Sequence, residues 1–190
     1  MYIRLAEEND RRQIAELIAE GFERDFSVLT KDSSKVANAM ENGIEISRFY
    51  VAIEDDRVVG IAAVYDNKKR AMKRDIDTYM KNFGWFGGMV ACIDLKREFE
   101  KPLHCPDDTC YLQFGAVKKE YRRRGIITAM LHYLLENTNY REHTFDVISI
   151  NQHAKEGYEK VGFRVYGQAK EPLGFIKGYK FRWFMHYIKE

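Results

Sequence analysis

Cysteine and proline are both scarce in this chain, with three of each among 190 residues. Cys92, Cys105 and Cys110 form an odd set with neither a CxxC spacing nor a histidine pair beside it. That argues against a disulfide framework and a zinc site, and leaves reduced thiols of the kind a cytoplasmic protein carries. Charge of one sign is missing as well, since 31 basic residues stand against 29 acidic ones for a net +2. Such a balance offers no electrostatic footprint for nucleic acid, although basic residues cluster locally. The longest near-apolar run, Phe83 to Ile93, has 11 residues, whereas a bilayer span needs about 20. The opening residues MYIRLAEEND hold no apolar stretch of the kind a secretory leader carries. The expectation is a cytoplasmic protein that engages neither membrane nor nucleic acid. No internal repeat and no clean linker interrupts the sequence.

What is present is material for a core. The chain is 45% hydrophobic and 32% charged, the balance of a soluble globular protein. Its length suits one domain, or one domain with an insertion. Twelve Tyr and twelve Phe are available. Most of them should pack the core and strands, and the remainder can wall a ligand pocket.

Periodicity orders the elements. Tyr2 to Leu5 alternates as a first strand. Asp10 with Gln13 forms a candidate capping box for a helix whose buried face is Ile14, Leu17, Ile18 and Phe22, with Gly21 as its stop. Ser34 to Glu41 reads as a second helix ending near Gly43. Arg48–Glu54 and Arg57–Tyr65 flank Asp55-Asp56 as a hairpin. Residues 67–106 then form a helical insertion. It opens with a basic octet, Asn67 to Arg74, which reads as a solvated helix face or as a cluster steering acidic partners. Ile76, Tyr79, Met80 and Phe83 follow at helical spacing, Gly84 to Gly88 breaks the helix, and Met89 to Phe99 is helical again before Pro102. The aromatic break is either core or a wall of a site.

After the insertion come a strand (Tyr111–Val117), a helix, a strand (Phe145–Ile150), a second helix, and a final pair, Arg164–Tyr166 and Tyr179–Ile188. The first strand-to-helix junction reads VKKEYRRRGIITAMLHYLL from Val117. A glycine there lets successive N–H groups face one point at the positive end of the helix dipole. Arg122, Arg123 and Arg124 add charge-assisted donors. Together with Gly125, Ile126, Ile127 and Thr128 they make a cradle for a diphosphate. Ile126, Ile127, Met130, Leu131, Leu134 and Leu135 form the helix's buried face. About 30 residues downstream lie Asn151, Ala154, Tyr158, Gly162 and Phe163.

The two blocks in this order resemble the GNAT superfamily of N-acetyltransferases, whose pattern of Arg, two residues, Gly, one residue and Gly or Ala is met by Arg122, Gly125 and, as a bulkier variant, Ile127. The match is strong over residues 111–165. The resemblance implies a mixed α/β fold: a twisted, mostly antiparallel sheet of six to seven strands flanked by helices, with the insertion between the third and fourth strands. Residues 1–190 are expected to form one such domain, its N-terminal part fitting in outline and residues 67–106 matching no pattern of the family. The resemblance further implies acetyl-CoA as co-substrate, no metal, and a small-molecule or protein amine as acceptor, attacked directly in a ternary complex. Gly115, Ala116 and Val117 would pair with the pantetheine arm, a backbone N–H near Val117 would receive the oxyanion, and Gly115 would permit a bulge. Tyr158 would protonate the leaving thiolate. Asn151 would bond the arm or cap its helix, and Ala154 lines the same turn. The Glu that many members carry on this strand is missing near Tyr111. Asp107, Asp108 and His104 lie just upstream, more readily as loop residues than as a base, and ordered water is the other route. An acyl-CoA-binding regulatory module without catalysis is the alternative. The resemblance also implies a homodimer, paired through the terminal strand as a sheet edge.

Overall fold

The computed structural model describes residues 1–100, 105–171, 174 and 178–190, with the backbone alone for Asp94, Arg97, Glu98 and Glu100. Seven strands form one sheet: β1 (Tyr2–Leu5), β2 (Phe49–Glu54), β3 (Arg57–Tyr65), β4 (Thr109–Val117), β5 (Glu142–Ile148), β6 (Arg164–Lys170) and β7 (Phe181–Ile188). Their order is β1-β2-β3-β4-β5-β7-β6. Every neighbouring pair is antiparallel except β4 and β5, which run parallel. The helices are α1 (Arg11–Gly21), α2 (Glu23–Phe26), α3 (Ser33–Glu41), α4 (Ile76–Glu100), α5 (Ile126–Asn137) and α6 (Gln152–Val161).

The sheet is covered on both faces, which is why β3 reads as a nearly unbroken apolar run. Its side chains divide between the two faces, the alternation being reset between Val59 and Ile61 where the β2–β3 register shifts. Val58, Ile61, Ala63 and Tyr65 join one core with α1, α3 and α4. Val59, Ala62 and Val64 join a second core with Ile126, Met130 and Leu134 of α5 and Phe163 beyond α6. The 3.6-residue period of α1 accordingly buries Ile14, Ala15, Leu17 and Ile18.

Several expectations are corrected by packing. Asp10 does not cap α1 through its side chain. It receives Arg4 in a two-pronged pair at 2.6 and 3.1 Å, while the Gln13 amide oxygen accepts from the Val58 N–H at 3.0 Å. The basic octet is not helical. Lys68 pairs with Asp107, and Lys69 and Lys73 pair with Glu45. Arg70 lies over the Tyr65 ring at 4.0 Å and donates from Nε to the Phe99 carbonyl at 2.8 Å. The segment is therefore an irregular strap that ties the insertion to the sheet. The expected helix break is present as a kink at Gly84, at φ 72°, where two helical stretches of α4 meet, whereas Trp85 and Phe86 are exposed, neither core nor wall. The terminal strand is not an edge, because β7 is flanked by β5 and β6, and β6 runs to Lys170, beyond its expected end. The strand expected at 145–150 sits at 142–148, its last two residues having turned out of the ladder toward α6. Pro102 and His104 lie outside the described residues. Among the described residues no helix is long and apolar enough to cross a membrane.

Gly21 is the point of closest approach between α1 and β4. A Cβ placed there would lie 2.7 Å from the Ala116 Cβ, and neither backbone has a flexible side chain to move aside. Gly21→Ala should therefore cost about 1–3 kcal/mol by overpacking, read as a lower denaturant midpoint with an unchanged m-value.

Candidate active site

The parallel pairing of β4 and β5 is brief. Thr109, Cys110 and Tyr111 pair with Glu142, His143 and Thr144, and past that point the strands share no ladder pair among the described residues. A bulge in β4 accompanies the parting. Ile61 lies opposite Ala116 and Ala63 opposite Gln113, so Phe114 and Gly115 together face Ala62. Phe114 holds φ at 55°, a left-handed conformation that a bulky residue adopts only under compulsion. Its ring supplies the compulsion, packing against Phe22, Phe49 and Phe99 with centroids 5.5, 5.9 and 6.0 Å away. The expected bulge is present, but Phe114 rather than Gly115 carries the unusual angle. A Cβ added at Gly115 would meet the Ile127 Cδ1 at 3.4 Å, an ordinary van der Waals contact, so nothing at that position requires glycine.

Gly125 caps α5 at φ 76°, with open space where a Cβ would be, so only its backbone freedom matters. The first intrahelical bond runs from the Ala129 N–H to the Gly125 carbonyl at 2.9 Å. The N–H groups of Ile126, Ile127 and Thr128 therefore open the helix without intrahelical acceptors. The arginines are mostly committed elsewhere. Arg122 donates from Nε to the Val117 carbonyl at 3.0 Å and lies 3.6 Å from Glu20. Arg124 covers the Tyr121 ring at 4.8 Å and reaches Glu54 at 3.5 Å. Arg123, at φ 66°, is exposed. The turn is thus a backbone cradle shaped by its arginines. Ile127 is half-buried over Gly115 and lines the cleft, in contrast to Ile126, Met130, Leu131, Leu134 and Leu135, which are buried.

On α6, Asn151 is the N-cap, its Oδ1 accepting from the Ala154 N–H at 3.4 Å. Tyr158 follows one turn after the half-buried Ala154, its ring edge-on to Phe145 with centroids 4.8 Å apart. Burial pushes the Tyr158 phenol above its ordinary value, so it stays protonated across the neutral range.

A cavity of about 340 Å³ runs through the opening between the strands. Gly115, Ile127, Met130, Asn151 and Tyr158 line one part. Phe22, Phe26 and Leu29 near α2, with Leu95 and Phe99 of α4, wall another. Gln113, Phe114 and Gly115 reach the cavity, but Ala116 and Val117 are not among its described walls. Ala116 is buried against α1, and Val117 lies opposite Gly60 past the bulge.

A polar cluster also lines this cavity, and no motif announced it. The Tyr111 hydroxyl donates to Asp146 across the opening. Arg182 of β7 donates to Asp146 at 2.8 Å, to Glu171 at 2.9 Å and to the Tyr179 hydroxyl at 2.7 Å. The available signal was an acid inside the apolar run of β5 and an arginine inside the aromatic run of β7, positions where charge is rare unless paired. The upstream carboxylates are not part of the cluster. Asp107 is exposed and bonded to Lys68 and Asn67, and the Asp108 carbonyl accepts from the Arg141 and Glu142 N–H groups. No group of three metal-ligating side chains occurs among the described residues.

Comparison with known proteins bears on the fold and the family. A comparison with curated proteins finds no match. An N-acetyltransferase from Staphylococcus aureus Mu50 superposes with a TM-score of 0.66 at 21% identity, covering 98% of this chain and 100% of that one. A ribosomal-protein-alanine N-acetyltransferase from Brucella melitensis gives 0.62 at 17% identity over 99% of both chains. An acetyltransferase of the GNAT family from Streptococcus pneumoniae gives 0.61 at 17%, covering 100% of this chain and 99% of that one. The family model of the acetyltransferase (GNAT) family matches residues 12–163, and the chain belongs to that family.

Proposed function

We propose that the protein transfers an acetyl group from acetyl-CoA to a primary amine within a ternary complex. The observation that carries the reading is the single cavity through the β4–β5 opening. It meets Tyr158 in one part and the Tyr111–Asp146 pair in another. The residues present suit the co-substrate. The open N–H groups of Ile126, Ile127 and Thr128 offer donors for its diphosphate. The β4 edge past Tyr111 offers backbone groups to its amide-bearing arm. Ile127 and Met130 contribute an apolar lining.

The chemistry then divides among the side chains. The acceptor's ammonium releases a proton to the Tyr111 oxygen as Tyr111 passes its own to Asp146. The free amine forms the N–C bond as the C–S bond breaks, the departing sulfur takes the Tyr158 proton, and the acylated nitrogen sheds its second proton to water. Exchange with water after product release returns a proton to Tyr158 and removes one from Asp146. Arg182 and Gln113 are not asked to move a proton. Arg182 orients the Asp146 carboxylate.

Tyr158→Phe should lower kcat by about 10²-fold or more while acetyl-CoA affinity by calorimetry stays within about threefold. An unchanged kcat would remove Tyr158 from the mechanism. Asp146→Asn should lower kcat by a similar ~10²-fold with the fold intact by circular dichroism. Gly125→Glu should abolish CoA binding, since it sets a carboxylate in the cradle. Gly125→Ala should instead cost about 1 kcal/mol of stability at its left-handed backbone.

A further inference from the structure

We infer, on the footing of the acyltransfer reading above, that the acceptor is a small primary amine carried on an apolar body, aromatic or branched alkyl. The wall formed by α2, the turn after it and α4 is built from Phe22, Phe26, Leu29, Leu95 and Phe99, with Asp25 as its polar member among the described residues. A polyhydroxylated amine entering there would give up water from several hydroxyls against that one carboxylate. An amino acid's carboxylate fares no better. The lining arginine, Arg182, already donates to Asp146, Glu171 and the Tyr179 hydroxyl.

An ammonium, by contrast, has a place to go. Each Asp146 oxygen accepts one of the bonds described, from Tyr111 and from Arg182, and a carboxylate has about four acceptor sites. Size points the same way. About 340 Å³ lies at the small end of ligand cavities, and the co-substrate's arm must share it. The wall residues Leu95 and Phe99 come from the insertion between β3 and β4, so acceptor choice resides largely in that segment.

The test measures thiol release from acetyl-CoA with 2-phenylethylamine and isopentylamine against glycine, spermidine, an aminoglycoside and an alanine-initiated peptide. The apolar amines should lead in kcat/KM by about tenfold or more. Leu29→Asn should raise KM for 2-phenylethylamine by about tenfold without changing kcat or CoA affinity. Calorimetric titration of 2-phenylethylamine into the protein–CoA complex reads the same pocket without turnover and should show the same loss in the variant. A higher kcat/KM for any polar acceptor, or indifference of both KM and amine binding to Leu29→Asn, would overturn the inference. Failure of acetyl-CoA to bind, or amine binding without any thiol release, would instead overturn the acyltransfer reading.

Discussion

Strands β4 and β5 share three residue pairs and then separate, and the rest of the molecule is fitted to that separation. Open backbone groups inside a sheet are costly unless something satisfies them. Here they border a cavity rather than packed core. The bulge at Phe114 and Gly115 turns β4 away from β5, and the aromatic contacts of Phe114 hold that turn against its own backbone preference. Polar bonds then brace the opening. Tyr111 reaches Asp146 from β4, and Arg182 holds Asp146 from β7, so the strands stay apart at a defined distance without closing.

The two sides of the opening are built on different principles. The α5 and α6 side uses helix ends. Gly125 exposes N–H groups at one N-terminus, and Asn151 caps the other so that Tyr158 falls one turn along, beside Phe145. The opposite side uses bulk. Rings and aliphatic side chains from α2, the turn after it and α4 enclose space without offering many partners. The first suits a ligand with a diphosphate and an extended arm, and the second suits an apolar body. The basic strap before α4 links them to the sheet, since Arg70 holds both the Tyr65 ring and the Phe99 carbonyl.

Much of the frame was legible in the residues. Alternation marked β1, the two runs flanking Asp55-Asp56 marked the β2–β3 hairpin, and the i, i+3, i+4 spacing of α1 and α5 named their buried faces, apart from Ile127, which turns toward Gly115. The arginine turn with Gly125 marked the cradle because a left-handed N-cap selects glycine locally. Asn151 and Tyr158 were legible for the same reason, being a cap and a residue one helical turn from Ala154. The strap was misread because five basic residues in eight resemble a solvated helix face, and only its distant acids and carbonyls show why it is irregular. The break expected over Gly84 to Gly88 is confined to Gly84, because glycine propensity yields to the flanking helix at the other positions.

Local periods, caps and turn chemistry in the sequence alone determined most of the elements, their order, the glycine junction before α5 and the position of Tyr158, because each depends on residues within a turn or two of one another. The tertiary structure decided everything that joins distant segments. Tyr111, Asp146 and Arg182 stand 35 and 36 residues apart in sequence and meet only because β4 is parallel to β5 and β7 lies antiparallel beside it. Phe114 accepts a positive φ only because three rings from other segments surround it. The apolar wall of the cavity exists only because a strap folds α4 back onto the sheet. Long-range packing, with its loop-closure entropy and shared burial, sets these contacts, and no local pattern encodes them.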